Sequence, residues 1–294
     1  MLIIGIDLAW GARKPDGVAV IRVRRDQAGL ERIMSTDGDA ALVACVAASL
    51  NLSGRADRAP ALLAFDGPII CPNRTGSRPV DRLTHVRYGR YHAGCHPANR
   101  TICPRPARVA ARFGRLGFDP DFVLPGPRCH RESDGRPVRR MIEVYPHPAA
   151  VRLFGLPRIL KYKRGSARAR RRALGRLQAL IRDHLARFEP PVVPSEAVAR
   201  LLGLDPCRLA GVAHKRHEDG LDAVLCALVG LHHWWHGGRQ SEVLGDLRSG
   251  YIVVPAPFSL FPEWGRELGS GAQGPVMEEN SRWPIESQRS AGKN

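Results

Sequence analysis

The sequence predicts an α/β domain built on a mixed sheet, and three observations point there. Residues 1–7, MLIIGID, form an almost unbroken apolar run that stops at a carboxylate. A second such run, ALLAFD at 61–66, does the same. A long segment near residues 217–235 reads as a buried helix, apolar through its middle. Short runs that are apolar at every position suit strands covered on both faces, the situation of parallel strands beneath helices.

The elements follow in order. Lys14-Pro15-Asp16-Gly17 is a turn signal, and the VAVIRVRR after it reads as a second strand that makes a hairpin with the first. A third strand is expected over 30–35. The segment ALVACVAASLN then reads as a helix, with Asp37 or Asp39 as its N-cap. The run 61–69 is a buried strand that Gly67-Pro68 stops.

From about 70 to 138 the chain is rich in Arg, Pro, Gly, Cys and His, with little periodicity beyond a helix near ARVAARFGRLGF. It reads as a long insertion after the fourth strand rather than as a separate domain. RRMIEVYPHP, 139–148, returns to strand character and ends in a Pro-bounded turn. A helix is expected from Ser166 to Phe188, with Leu174, Leu177, Ile181 and Leu185 along one face, ended by Pro190, Pro191 and Pro194. A short helix at 195–203, the buried helix and an edge strand at 250–255 complete a domain over 1–262. The Gly-, Ser- and Glu-rich residues 263–294 are expected to be a disordered tail.

At 294 residues the chain is long enough for a full core. Its 45 Lys and Arg against 28 acids give a net charge of +17, which favours a polyanionic partner, nucleic acid first, unless an arginine-rich genome accounts for the excess. No stretch reaches the roughly 18 apolar residues of a membrane span. The first apolar run is too short for a signal peptide and has no basic region before it, so the expected location is cytoplasmic. Seven cysteines, an odd number, favour free thiols. Cys71, His85, His92, Cys95, His96, Cys103, Cys129 and His130 invite a zinc reading, but no CxxC pair exists and their spacings fit no common structural site.

The acids carry the functional argument. If the first and fourth strands are parallel neighbours, Asp7 and Asp66 emerge at the same carboxyl edge, where sites of open α/β sheets lie. Asp219 and Asp222, three residues apart, share one helix face, continued by Cys226 and Val229. Each has a structural alternative. Asp7 caps a turn or pairs with an arginine, Asp66 is a turn residue, and Asp219 complements the helix dipole. Asp222, inside an apolar helix, is hardest to explain so. Carboxylates in a cluster oppose one another's ionisation, and Mg²⁺ or Mn²⁺ with hard oxygen ligands would resolve the conflict. Two such ions about 4 Å apart are an apparatus for in-line phosphodiester hydrolysis.

GIDLAW, AFDGPI, EVYPHP, the Tyr162-Lys163 pair and HEDGLDAVLCAL, in this order over residues 1–255, resemble the family catalogued as domain of unknown function 429. That family is similar to a divergent branch of the ribonuclease H-like superfamily, in which RuvC-type resolvases occur, and is expected to contain nucleases. The resemblance implies a ribonuclease H-like mixed five-stranded sheet flanked by helices. It implies metal ligation by Asp7, Asp66, Asp219 and Asp222, with Asp7 bridging, and adds Glu143 of EVYPHP as a candidate catalytic acid. Mg²⁺ or Mn²⁺ would be the cofactor and DNA or RNA the partner.

KYKRGSARARRR, 161–172, carries seven basic residues where a helix begins, which is unfavourable to the dipole and argues for a phosphate counter-ion. Lys161, Tyr162, Lys163, Arg164 and His147 are therefore candidate nucleic-acid contacts, with Tyr162 stacking on a base. Two rival readings stand beside the metal-dependent nuclease. One is a non-catalytic nucleic-acid-binding protein that keeps the fold, the other an actin-like-fold small-molecule kinase.

Overall fold

The computed structural model describes residues 1–11, 14–51, 59–127 and 129–256, so the expected tail at 263–294 and the domain edge at 262 lie outside the described residues. Strands β1 (Leu2–Asp7), β2 (Asp16–Arg24) and β3 (Gln27–Thr36) form the expected antiparallel hairpin and its third strand, followed by helix α1 (Gly38–Asn51) and strand β4 (Ala61–Asp66). The insertion contains α2 (Pro79–Tyr88), α3 (Pro104–Gly114) and the two-residue β5 (Asp119–Pro120). Then come β6 (Arg139–Val144), α4 (Pro146–Leu153), α5 (Ala167–His184), β7 (Val192–Pro194), α6 (Glu196–Leu202), α7 (Gly211–Trp235), β8 (Ser241–Asp246) and β9 (Gly250–Pro255).

The described residues form one mixed sheet of nine strands, not five, in the order β7-β3-β2-β1-β4-β6-β9-β8, with β5 paired to β6. The additional strands have physical reasons for escaping the sequence. β7 is three residues long, contains Pro194 and pairs only at the margin beside β3, where a residue without an N–H is tolerated. β9 is not an edge strand: it lies parallel to β6 on one side and antiparallel to β8 on the other, and all six of its residues are buried. The Pro-bounded turn expected after Glu143 is instead the first turn of α4, with Pro146 where a missing N–H costs nothing. The last long helix begins at Gly211, earlier than its apolar stretch suggests. No helix among the described residues is long and apolar enough to cross a membrane.

Alternation along the central strands decides which side chains meet which layer. β1 and β4 are parallel with Ile3 opposite Leu62, Gly5 opposite Ala64 and Asp7 opposite Asp66. Side chains two apart share a face, so Ile3, Gly5 and Asp7 lie with Leu62, Ala64 and Asp66 on one face. Helix α7 covers that face: Cβ atoms added at Gly5 and Gly230 would meet α7 backbone and the Ala64 and Ile3 side chains respectively. The opposite face carries Phe65, whose ring packs edge-on against Phe113 of α3 at 6.0 Å between centroids.

Two buried arginines fasten the insertion to the sheet. Arg105 of α3 donates to both carboxylate oxygens of Asp16 at 2.7 and 2.6 Å, to the Ala9 carbonyl at 2.6 Å and to Asp39 at 2.8 Å. Asp39 is thus engaged from α3 in the first turn of α1. Arg78, just before α2, forks onto Glu143 at 2.8 and 2.6 Å and onto Asp81 at 2.8 Å. Burial disfavours both guanidinium charges, but the paired carboxylates outweigh it and raise both pKa values. The insertion is therefore part of the domain's own packing.

The closest packing is between α7 and the hairpin. A Cβ at Gly5 would stand 2.1 Å from the Ala223 carbonyl oxygen, and one at Gly17 2.1 Å from that of Asp219. Backbone cannot yield as a flexible side chain does. Gly5→Ala is expected to lower the unfolding free energy by about 1–3 kcal/mol or more. Gly114→Ala, where nothing lies within 4 Å of the added carbon, should not lower it and, at the end of α3, should raise it by up to about 1 kcal/mol. Urea unfolding midpoints of the two variants beside wild type measure the contrast, and equal effects would contradict the packing argument.

Candidate functional site

Three elements bring four acids to one end of the sheet. Asp7 ends β1 and Asp66 ends β4, in register and on the face that α7 covers. Opposite Asp7 on the hairpin is Gly17, and against Gly17 lies the backbone of Asp219 itself. Asp222 is one helical turn further along, fully buried, and Asp219 is 2% exposed. Asp66, Asp219 and Asp222 all lie close enough to Asp7 for their charges to act on its carboxyl.

The cations here are lysines. Lys163 places its ammonium 2.7 Å from Asp222 Oδ2, and the preceding Tyr162 donates its hydroxyl to Asp222 Oδ1 at 2.6 Å. Lys215, one turn before Asp219 on α7, donates to Asp219 and, at 2.9 Å, to Glu218. Two ammonium groups thus face four clustered carboxylates. Burial, reinforced by Asp222, Asp66 and Asp219 and opposed by Lys163, pushes Asp7 well above the usual carboxylate range. Asp66 is pushed up to about 7 by burial first, then by Asp222 and Glu143, against Lys163. Burial also raises Asp219, against the hydrogen bond from Lys215. Lys163 moves the other way: burial favours the neutral amine, but Asp222 and Asp7 outweigh it and hold the ammonium charged.

Glu143 is not in this cluster. In register with Phe65, it sits on the face away from Asp66, where it is committed to Arg78 and accepts from the Ile69 N–H at 3.2 Å. The alternation puts Met141, Glu143 and Tyr145 on the face opposite Asp66, yet at the strand end Glu143 and Tyr145 line the same small cavity as Asp66. Tyr162 is 2% exposed, so it has no ring face for a base and serves Asp222 instead. Burial and Asp222 keep its phenol protonated.

His147 stands in the first turn of α4, its ring 5.6 Å from those of Tyr145 and Tyr162, and burial with the nearby Lys163 charge lowers its pKa to about 4. It is a neutral ring at pH 7 rather than a phosphate cation. Lys161 and Arg164 are exposed, and Arg164 lies 3.2 Å from His96 Nε2.

Carboxylates alone make a donor set for a hard divalent cation. Asp219 Oδ2 is buried without a hydrogen-bond partner, which leaves an acceptor for one. Yet no group of three or more His, Cys, Asp or Glu among the described residues stands in a ligating arrangement, the Cys and His residues of the insertion included. Asp222 and Asp219 are drawn instead onto Lys163 and Lys215. The donor types fit the ion; the arrangement is that of a cluster neutralised by lysine.

Beside Asp66 is a small cavity of about 70 Å³, bounded by Trp10, Gly67, Cys95, His96 and Tyr145. Trp10, 40% exposed, is an aromatic at this rim to which the sequence analysis gives no role. Lys215 was also missed, although its place four residues before Asp219 was a readable pairing signal. A larger concavity of about 900 Å³ lies at the other end of β1, between Met1, Arg25, Trp234, Trp235 and Arg239.

No curated protein and no solved structure matches the chain. The model of one family, described as protein of unknown function (DUF429), matches residues 5–120 and 126–246, which takes in every acid of the cluster and both lysines that neutralise it, and the chain belongs to that family.

Proposed function

We propose that the chain is a metal-dependent nuclease of the ribonuclease H-like superfamily, hydrolysing phosphodiester bonds of DNA or RNA. One observation carries this reading: Asp7, Asp66, Asp219 and Asp222 converge from two parallel strand ends and one helix, with too little positive charge to ionise them all. The side-by-side order β3-β2-β1-β4-β6, with β1 and β4 parallel, also supports it, because the five strands that the resemblance implied are adjacent.

Asp7, Asp66 and Asp222 would hold Mg²⁺ or Mn²⁺, with Asp219 assisting. Such an ion would supply Lewis-acid polarisation of a phosphoryl oxygen and a bound water of low pKa. The chain's own groups do the rest. Tyr162 fixes the rotamer of Asp222 by its 2.6 Å hydrogen bond. The α7 layer keeps water from the inner side of the cluster, which strengthens its field. Lys161, Arg164 and the exposed Arg168 and Arg172 at the start of α5 offer positive charge outside the cluster for a nucleic-acid backbone.

Cleavage of labelled single strands, duplexes, hybrids and junctions with Mg²⁺, Mn²⁺ or EDTA tests the reading. Wild type is expected to cut at least one substrate with metal and none with EDTA, while Asp7→Asn and Asp66→Asn lose roughly a hundredfold or more. Binding of these substrates without cleavage in any metal would favour the non-catalytic binding protein.

The acids also predict a pH dependence of the metal-free protein. The folded pKa of Asp66, about 7, lies above the ordinary 3.8. The folded state therefore holds its proton more tightly. The stability this contributes is fully present below about pH 4 and is lost as pH rises through about 7. In EDTA, the melting temperature of wild type should fall relative to that of Asp66→Asn across this window, and Mg²⁺ should narrow the gap at the upper end. A constant difference across the window would count against a protonated Asp66.

A further inference from the structure

We propose that Lys163 is a tethered counter-ion, whose ammonium leaves Asp222 when a divalent cation enters the cluster and then binds a substrate phosphate. This rests on the metal-dependent reading and goes beyond it by coupling metal and phosphate binding through one residue.

The two oxygens of Asp222 are held differently. Oδ1 accepts from Tyr162, which is 2% exposed and packed in the core. Oδ2 meets the Lys163 ammonium at 2.7 Å, and this side chain is 35% exposed. Adjacent residues thus divide two tasks: Tyr162 anchors both the segment and the carboxylate, so Lys163 can withdraw without undoing either. The segment between α4 and α5 has no regular structure at this point, and Gly165 just beyond has a φ of +101° with open space around it. Lysine suits the task because it is a compact point charge on a flexible four-carbon stem, whereas an arginine fork is bound by geometry.

Competition between the two cations follows from their charges. Mg²⁺ or Mn²⁺ brings twice the charge of an ammonium to an oxygen that Lys163 now holds. Each of Asp7, Asp66 and Asp222 is within the electrostatic reach of Lys163, so its ammonium is the counter-charge shared by the inner acids. Once displaced, it is repelled by the ion and turns toward the exposed side, where Lys161 and Arg164 flank it. Charge-assisted contact with a phosphate oxygen is then open to it. Metal binding and phosphate binding therefore assist one another, and by linkage the assistance is reciprocal.

Amine acylation of wild type, read residue by residue by mass spectrometry, tests the exchange without a variant. Lys163 should be acylated several-fold faster with saturating Mn²⁺ than with EDTA, while the exposed Lys161 serves as the unchanged control. Calorimetric titration with Mn²⁺ tests the competition. Lys163→Met removes the competing cation and is expected to bind Mn²⁺ roughly tenfold or more tighter than wild type. It should also lose the gain in affinity for a short phosphodiester oligonucleotide that Mn²⁺ gives wild type. Unchanged acylation of Lys163, or Mn²⁺ binding by Lys163→Met no tighter than wild type, would overturn the exchange and leave the metal site standing. No Mn²⁺ binding by either protein would overturn both, and should Lys163→Met not fold, the acylation ratio in wild type decides.

Discussion

The contact of α7 with the hairpin, backbone against backbone, is the constraint on which the site depends. Glycine in a strand normally weakens it, since it packs nothing and loses more entropy on ordering. At Gly5 and Gly17 that loss is offset by proximity. With no Cβ in the way, the Ala223 and Asp219 carbonyls come against the sheet itself. The side chains of the same helical turn are thereby delivered to the ends of β1 and β4. Ordinary packing, with side chains between helix and sheet, holds layers about 10 Å apart and would hold Asp219 and Asp222 away from Asp7. Two missing methyl groups thus bring three elements' acids to one point.

The protein handles its buried acids in two distinct ways, and the contrast separates structure from chemistry. Asp16, Asp81 and Glu143 are met by guanidinium groups, in forks of two hydrogen bonds or more. Such a partner is always charged and geometrically committed, so these acids are struts that tie α2 and α3 to the sheet. Removing either side of such a pair would strand a buried charge. On the α7 face, Asp7, Asp66, Asp219 and Asp222 are met by no arginine fork among the described residues; their cations are two ammonium groups on long stems, and Tyr162 adds one neutral hydrogen bond. These acids are under-compensated by partners that can move, which sets them apart from the struts, and the proposed function rests on that difference.

Much of this was legible in the sequence, and the limits have physical causes. The strand-end positions of Asp7 and Asp66 followed from apolar runs broken at a carboxylate, and the i, i+3 spacing put Asp219 and Asp222 on one helix face. What the sequence could not supply was registry between faces. Glu143 is the penultimate residue of β6, and this shift of one residue relative to Asp66 turns its side chain to the other face of the sheet, because the side-chain period is two. Tyr162 and Lys163 were visible as a basic, aromatic pair, yet only the long-range approach of their loop to α7 turns one into a buried donor and the other into a counter-ion. Gly5 and Gly17 look in sequence like a strand glycine and a turn glycine. Their function depends on a helix two hundred residues away.

The insertion takes on a different meaning once its anchors are known. Arg78 and Arg105 hold α2 and α3 to the sheet from the face opposite α7, and Asp81 also accepts from the Ala98 N–H at 2.9 Å. That bond fixes the stretch carrying Cys95 and His96, which reaches round to the cavity beside Asp66. Tyr145 ties the same stretch to the start of α4 through the Gly94 carbonyl at 3.3 Å. Arg164, the residue after Lys163, contacts His96 of the same stretch. The insertion is therefore held beside Asp66 at the sheet's carboxyl end, and the segment that carries Lys163 touches it there through Arg164 and His96.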